Sequence, residues 1–243
     1  MQEKLLSNQQ KLNDINYNYH KIEEEIAKAA QSSGRTREDI TFLAATKTVE
    51  PQYINYAISL GLKYIGENKV QELLSKYDEY NLNDCTLQFI GHLQSNKVRQ
   101  IADKVNMIQS VDSLKLAQEI AKQSQKHNKA MDILLEVNIG DEESKSGTSI
   151  NQVEELCCQI SQLQGVNIKG LMTIPPICET TAQISRYFSD MYKLFIYIKC
   201  KKIDNVSMDI LSMGMSSDYA EAIKCGANMV RIGSSLFGAR IYK

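Results

Sequence analysis

The chain has 243 residues, 23% of them charged, with a formal net charge of −1 and six cysteines without metal-type spacing. Its length is close to the roughly 250 residues typical of one (β/α)8 barrel, so we expect a single domain over residues 1–243. The absence of a basic surplus, of a signal-like N-terminus and of a long apolar run argues against nucleic acid, secretion and membrane insertion, and predicts a cytoplasmic protein without a metal site.

A helix with one apolar face opens the predicted structure. Its apolar residues recur at helical spacing and are Ile15, Tyr19, Ile22, Ile26 and Ala29. Gly34 is expected to end this helix, because glycine readily adopts the left-handed conformation found after helix ends. We expect this extra N-terminal helix to close the floor of a barrel with its apolar face.

Eight apolar runs of strand length follow, and they start 20 to 37 residues apart. They begin near Ile40, Tyr64, Leu87, Met107, Asp132, Ile168, Asn205 and Met229. Nearly continuous runs such as residues 133–137 are typical of strands covered on both faces, and the segments between the runs suit crossover helices. We therefore predict an α/β fold, a closed (β/α)8 barrel of the TIM type. The alternative is an open doubly wound sheet, which would normally show a G-x-G-x-x-G turn near its start.

Two segments rich in serine and glycine lie at the carboxyl ends of the last two predicted strands. The first follows the seventh strand, and the second contains the eighth strand and the residues just after it. They are Ser212–Asp218 and Met229–Ser235. In such barrels a phosphate site often forms after strands seven and eight, where N–H groups at a helix start face an anion. A helix N-cap explains either segment alone, but the occurrence of both at adjacent turns favours a phosphate site. The groups facing the anion would come from Gly214, Ser216, Ser217, Gly233 and Ser234.

Lys47 stands at the expected carboxyl end of the first strand. Period-two alternation gives it the same face as Leu43 and Ala45, toward the barrel interior. Burial lowers the pKa of an amine below its reference value of about 10.4 and frees it for Schiff-base formation. A solvated strand end is the simpler explanation of a single lysine. Together with a phosphate site, however, the lysine suggests pyridoxal 5'-phosphate (PLP) as a ligand.

Arg231 lies within the last strand and is also expected to face the interior, where a guanidinium needs a partner. The partner is either a pyridine nitrogen, as in some PLP sites, or a carboxylate such as Glu136 or Asp209. His92 and Asn68 end two other strand segments, so we expect both at the mouth of the barrel.

At these residues the chain resembles the YggS/PROSC family of PLP-binding proteins, also called PLP homeostasis proteins. The segments that carry the resemblance are Ala44–Thr48, Ile65–Asn68, Val70–Glu72, Phe89–Lys97, Val137–Ile139, Lys145–Gly147, Gly170–Ile174, Leu211–Ser216 and Met229–Arg240. The last segment is the most specific. The resemblance implies a fold like the N-terminal barrel domain of alanine racemase, with Lys47 holding PLP as a Schiff base.

The resemblance also implies roles for individual residues of the pocket. The positions that match the family's phosphate binders are Ser216, Gly233 and Ser234. Arg231 matches the arginine that faces the pyridine nitrogen, and Asn68 and Met172 match other positions around the cofactor.

These observations lead to a non-catalytic PLP carrier as the main hypothesis. Racemisation needs a proton donor and a proton acceptor on opposite faces of the substrate, and in alanine racemases a tyrosine from a separate C-terminal domain supplies one of them. We expect no such tyrosine here, and an arginine at the pyridine nitrogen weakens the cofactor as an electron sink. The resemblance implies a role in PLP homeostasis, with transient transfer of PLP to apo-enzymes. We expect the protein to be a monomer or weak homodimer.

Two enzymatic alternatives remain open. The first is an amino-acid racemase that uses Lys47 together with His92 or Tyr64 as the acid. The second is a class I aldolase whose lysine condenses directly with a sugar phosphate.

Overall fold

The computed structural model describes residues 2–142 and 145–238, except for the side chains of residues 2–5. Within these residues, eight parallel strands close into a barrel in sequence order. The strands are β1 Thr41–Ala45, β2 Tyr64–Glu67, β3 Thr86–Phe89, β4 Met107–Val111, β5 Met131–Glu136, β6 Val166–Met172, β7 Val206–Ser212 and β8 Met229–Ile232. The α-helices are α1 Gln2–Ser32, α2 Pro51–Ser59, α3 Val70–Lys76, α4 Val98–Ile101, α5 Leu114–Lys126, α6 Val153–Ile160, α7 Thr181–Lys201, α8 Tyr219–Lys224 and α9 Ser234–Phe237.

The prediction of a closed α/β barrel is confirmed. Each strand begins within two residues of its predicted start. The ring is closed by β8, which pairs in parallel with β1 and places Leu43 opposite Arg231. An open doubly wound sheet would leave these two strands unpaired, so that alternative is wrong.

The N-terminal helix is present, but it lies along the side of the barrel and not across its floor. The predicted apolar residues of α1 are buried, and Gly34 follows the helix with a φ of 74°. The helix packs against α2, α8 and α9, and the Tyr19 ring stacks on Phe42 of β1. Since α9 has only four residues, it is too short to cover β8 and β1. The long apolar face of α1 fills that place in the outer helix layer.

Most of the hydrophobic core lies between the strands and the surrounding helices, while the barrel interior holds two small apolar clusters. The buried members of these clusters are Leu43, Ile90, Met229, Met107, Leu134 and Met172. The space left inside the barrel contains polar side chains, among them Gln88, Gln109 and Arg231.

The described residues contain neither a membrane-spanning helix nor a metal-binding cluster. None of their helices combines the length and apolar character that crossing a bilayer requires. Nor do they bring together three or more His, Cys, Asp or Glu side chains in a way that could hold a metal ion. The six cysteines are all free thiols.

Candidate functional site

The two serine and glycine segments meet at the carboxyl end of the barrel. The Ser216 hydroxyl oxygen accepts hydrogen bonds from the backbone N–H groups of Gly233 and Ser235, both at 3.2 Å. The Ser235 hydroxyl donates in return to the Ser216 carbonyl oxygen at 3.3 Å. Ser234 is exposed and is the first residue of α9. The loops after β7 and β8 therefore form one unit of hydroxyl and N–H groups.

Two glycines allow these loops to pack closely. Gly214 has a φ of 93°, and a Cβ at this position would lie 2.5 Å from the Cβ of Ala222. A Cβ at Gly233 would lie 3.1 Å from the carbonyl oxygen of Ala45. The contact at Gly233 places the loop after β8 directly beside the end of β1, two residues before Lys47. Glycine at such a position also lets an anion approach the backbone N–H groups.

Lys47 lies in the turn that follows β1 and is half-buried. The preceding residue, Thr46, is fully buried and donates its N–H group to the Gly66 carbonyl oxygen at 2.9 Å. The following residue, Thr48, has a φ of 65°, which is uncommon for a β-branched residue. The lysine turn and the serine and glycine loops thus lie on the same rim of the barrel.

Arg231 is buried inside the barrel and is part of a chain of polar side chains. Its guanidinium donates to the Ser212 hydroxyl at 2.6 Å and to the Thr173 carbonyl oxygen at 2.8 Å. The Ser212 hydroxyl donates to the Gln109 side-chain oxygen at 2.7 Å, and Gln109 donates to Gln88 at 2.6 Å. A network with satisfied donors and acceptors holds its members in one arrangement.

The hydrogen-bond partners of the Arg231 guanidinium are neutral oxygens and not the carboxylates considered as partners from the sequence. Asp209 is exposed, whereas Arg231 is buried. Burial lowers the pKa of Arg231 to about 10, and the charges of Glu136 and Asp218 oppose this shift. Arg231 is therefore cationic at neutral pH, and Glu136 acts on it through space.

Glu136 is a second titratable group in the barrel interior. It ends β5, and only 8% of its surface is exposed. Burial raises the pKa of its carboxyl to about 7, the charge of Asp112 adds to this increase, and the charge of Arg231 opposes it. Glu136 therefore exchanges a proton near neutral pH.

We expect the ionisation of Glu136 to destabilise the fold as the pH rises. The carboxyl has its ordinary pKa of 4.5 in the unfolded chain and a pKa of about 7 in the folded protein. Between these values the folded state holds the additional proton, so the free energy of unfolding falls with rising pH, by about 3 kcal/mol at most. Glu136→Gln should remove this contribution.

Denaturant unfolding at about pH 5 and about pH 8 tests this expectation. Glu136→Gln should gain stability relative to wild type at the higher pH, while Glu38→Gln, which changes an exposed carboxylate, should not. The same stability difference between Glu136→Gln and wild type at both pH values would contradict the assignment.

The other predicted pocket residues lie at the ends of strands β2, β3 and β6. Asn68 follows β2, and its side-chain oxygen is buried without a hydrogen-bond partner among the described residues. Met172 ends β6 and is fully buried in the interior. His92 is exposed, and its Nδ1 lies 3.2 Å from the Ser146 hydroxyl. A buried acceptor without a partner is costly, and a donor group of a ligand at Asn68 would relieve that cost.

Comparison with known proteins identifies the family. The profile described as "Alanine racemase, N-terminal domain" matches residues 18–241 of this chain. A pyridoxal phosphate homeostasis protein of Aquifex aeolicus is 42% identical, and the match covers 91% of this chain and 96% of that protein. The chain belongs to the family of pyridoxal phosphate homeostasis proteins. The Escherichia coli K12 member is 35% identical, with 95% of this chain and 99% of that protein covered.

Solved structures agree with this family assignment. PipY of Synechococcus elongatus, a COG0325 family member solved with PLP bound, is 30% identical with a TM-score of 0.77, and the match covers 88% of this chain and all of that chain. Alanine racemase from Corynebacterium glutamicum is only 11% identical, with a TM-score of 0.69 over 93% of this chain and 60% of that chain, and this likeness shows the barrel fold alone. The family resemblance inferred from the sequence motifs is confirmed.

Three residues of the candidate site were not identified from the sequence. Gln88 of β3 and Gln109 of β4 are both buried polar residues, and polar side chains within two mainly apolar strands are the signal that could have identified them. Ser235 was passed over beside Ser234, and nothing in the local pattern indicates which of the two contacts Ser216. The most specific family segment, Met229–Arg240, ends with two residues that lie outside the described part of the chain.

Proposed function

We propose that this family member binds PLP, holds it covalently through Lys47 as a Schiff base, and acts as a non-catalytic carrier in PLP homeostasis in the cytoplasm. The observation that carries the proposal is the close approach of Gly233 to Ala45. This contact brings the loop after β8, which is of a kind that binds anions, next to the turn that contains Lys47. The PLP-bound structure of the Synechococcus elongatus relative supports the same ligand class.

The residues at the carboxyl end of the barrel fit this cofactor. The groups that would hold the phosphate are Ser216, Gly233 and Ser234. Arg231 would face the pyridine nitrogen, and Asn68 and Met172 would lie around the ring, where Asn68 offers a buried acceptor to which no described residue donates a hydrogen bond. When bound, PLP supplies an aldehyde that condenses with an amine and a conjugated ring that accepts electrons.

The chain's own residues favour holding this ligand over promoting a reaction on it. Arg231 keeps its positive charge at neutral pH and is fixed by its bonds to Ser212 and Thr173. A cation at this place disfavours protonation of a neighbouring ring nitrogen, and an unprotonated ring is a weaker electron sink. The site therefore suits storage of the cofactor.

The two acids considered for a racemase differ in their positions relative to this rim. Tyr64 is the first residue of β2, at the opposite end of that strand from Asn68. His92 is exposed and lies against Ser146. A general acid has to lie within hydrogen-bond reach of the reacting atom, so the position of Tyr64 argues against its use as the acid of a racemase.

As a carrier, the protein would pass PLP to apo-enzymes through transient contacts. We propose that it does so as a monomer or weak homodimer, without nucleic acid or a membrane as a partner. A formal net charge of −1 supports the exclusion of nucleic acid, which selects basic surfaces.

Borohydride reduction of the purified, PLP-loaded protein should attach a pyridoxyl group to Lys47. Reduction converts the carbon–nitrogen double bond of the Schiff base to a stable single bond, so the visible colour should disappear and peptide mass spectrometry should locate the label. The same protein in heavy water should not exchange the α-hydrogen of amino acids for deuterium at a catalytic rate. A label on a different lysine would refute the proposed site, and catalytic exchange would favour the racemase.

A further inference from the structure

A buried ionic cluster lies beside the Lys47 turn, and the proposed function does not use it. Its centre is Glu67, which ends β2 and is fully buried. The Glu67 Oε1 atom accepts hydrogen bonds from the Thr46 hydroxyl at 2.8 Å, the Lys76 ammonium at 3.1 Å and the Tyr80 hydroxyl at 2.7 Å. Burying a carboxylate is costly unless it is paired in this way. The cluster is therefore held together by its own electrostatics.

The cluster contacts the residues on both sides of Lys47. The Lys76 ammonium donates to the Thr46 carbonyl oxygen at 3.1 Å and to the Glu72 carboxylate at 2.6 Å. Glu72 in turn accepts a hydrogen bond from the backbone N–H group of Thr48. The same network thus holds Thr46 through its hydroxyl and carbonyl oxygens and Thr48 through its N–H group.

The contact at Thr48 coincides with an unfavourable backbone conformation. A φ of 65° puts this β-branched residue in the left-handed region, which L-residues other than glycine seldom adopt. Such conformations persist where surrounding contacts hold them, and they occur often at functional sites. The Glu72 carboxylate is the group that holds the Thr48 N–H. Loss of this carboxylate would remove the contact that holds the residue after Lys47, while the contacts of Thr46 would remain.

We propose that Glu72, held in place by Lys76 and Glu67, is a positioning residue for the Lys47 amine. This inference rests on the proposed role of Lys47 as the residue that binds PLP. In the attachment step, the amine nitrogen bonds to the aldehyde carbon, and the aldehyde oxygen leaves as one molecule of water without oxidation or reduction. Since Glu72 contacts the turn and not the phosphate loops, it should affect this step and not phosphate-anchored binding.

The test compares the rate of covalent attachment with the affinity for a ligand that cannot form the bond. Borohydride trapping at successive times gives the rate of Lys47 labelling, and titration with pyridoxine 5'-phosphate, which lacks the aldehyde, gives the noncovalent affinity. We expect Glu72→Ala to slow attachment about tenfold and to leave the affinity for pyridoxine 5'-phosphate within about twofold of wild type.

Two further variants separate loss of the hydrogen bond between Glu72 and the Thr48 N–H, here called the tether, from a change of charge near the turn. Glu72→Gln keeps a side-chain oxygen that can accept the Thr48 N–H, so its attachment rate should return close to that of wild type. Asp78→Ala removes an exposed carboxylate just after α3 and should behave like wild type. The Glu72 side chain is 19% exposed, so its truncation does not open a cavity in the core.

Equal attachment rates in Glu72→Ala and wild type would overturn the inference. It would also fail if the affinity for pyridoxine 5'-phosphate fell in parallel with the rate, since that pattern belongs to a general structural role. Attachment as slow in Glu72→Gln as in Glu72→Ala would refute the hydrogen-bonded tether. A wild-type protein labelled elsewhere than Lys47 would instead refute the proposed function, and the inference with it.

Discussion

Replacement of Lys47 by alanine should abolish covalent attachment of PLP and leave only weak binding. The substitution removes the amine, whereas Ser216, Gly233 and Ser234 lie in other loops and keep their positions. We expect no pyridoxyl label after borohydride reduction and a dissociation constant for PLP at least about tenfold higher, equivalent to about 1.4 kcal/mol or more. Equilibrium dialysis and peptide mass spectrometry measure the two effects.

A pair of serine variants provides the control for the remaining binding. In the Lys47→Ala background, Ser216→Ala should weaken the residual binding of PLP further, because it removes the hydroxyl that joins the loops after β7 and β8. Ser217 was also expected from the sequence to face the anion, but its exposed hydroxyl donates to the Asp218 carboxylate at 3.1 Å, so Ser217→Ala should have little effect. Borohydride-fixable PLP that persists in Lys47→Ala would show that a different lysine forms the Schiff base.

Replacement of Arg231 by alanine should both destabilise the protein and change the absorption spectrum of bound PLP. Truncation of this fully enclosed side chain leaves a cavity, and it deprives the Ser212 hydroxyl and the Thr173 carbonyl oxygen of their donor. These losses together should cost about 3 kcal/mol. The spectrum should change because the cation that disfavours protonation of the pyridine nitrogen is gone.

Two measurements on the same samples separate these effects. Denaturant unfolding gives the stability, and absorption spectra recorded at equal PLP saturation give the electronic effect. Arg99→Ala removes an exposed arginine on α4 and should change neither quantity. A PLP spectrum identical to that of wild type would argue against a position beside the ring nitrogen, and unchanged stability would argue against the buried polar chain.

The positions of the eight strands could be predicted because their signal is local. Each strand of a parallel barrel is covered on both faces, so it appears in the sequence as a short apolar run, and the runs recur at the spacing of βα units. The order of the runs places Lys47 and the serine and glycine loops at strand ends, where barrels of this kind bind ligands. The fold and the general location of the candidate site follow from that pattern.

The placement of α1 and the polar contacts of the barrel rim came only from the tertiary structure. The apolar stripe of α1 predicts burial but not the surface that buries it, which depends on the shortness of α9 at the far end of the chain.

The amino-acid sequence by itself determined a parallel barrel with a lysine and a phosphate-type loop at the ends of its strands. Only the folded arrangement decided that Arg231 is held by neutral oxygens and that Glu72 holds the turn next to Lys47. Both contacts join segments that are far apart in sequence, and they depend on strand register and on the direction of each side chain. Local patterns of hydrophobicity do not give the strand register or the directions of individual side chains, because packing of the whole barrel sets both.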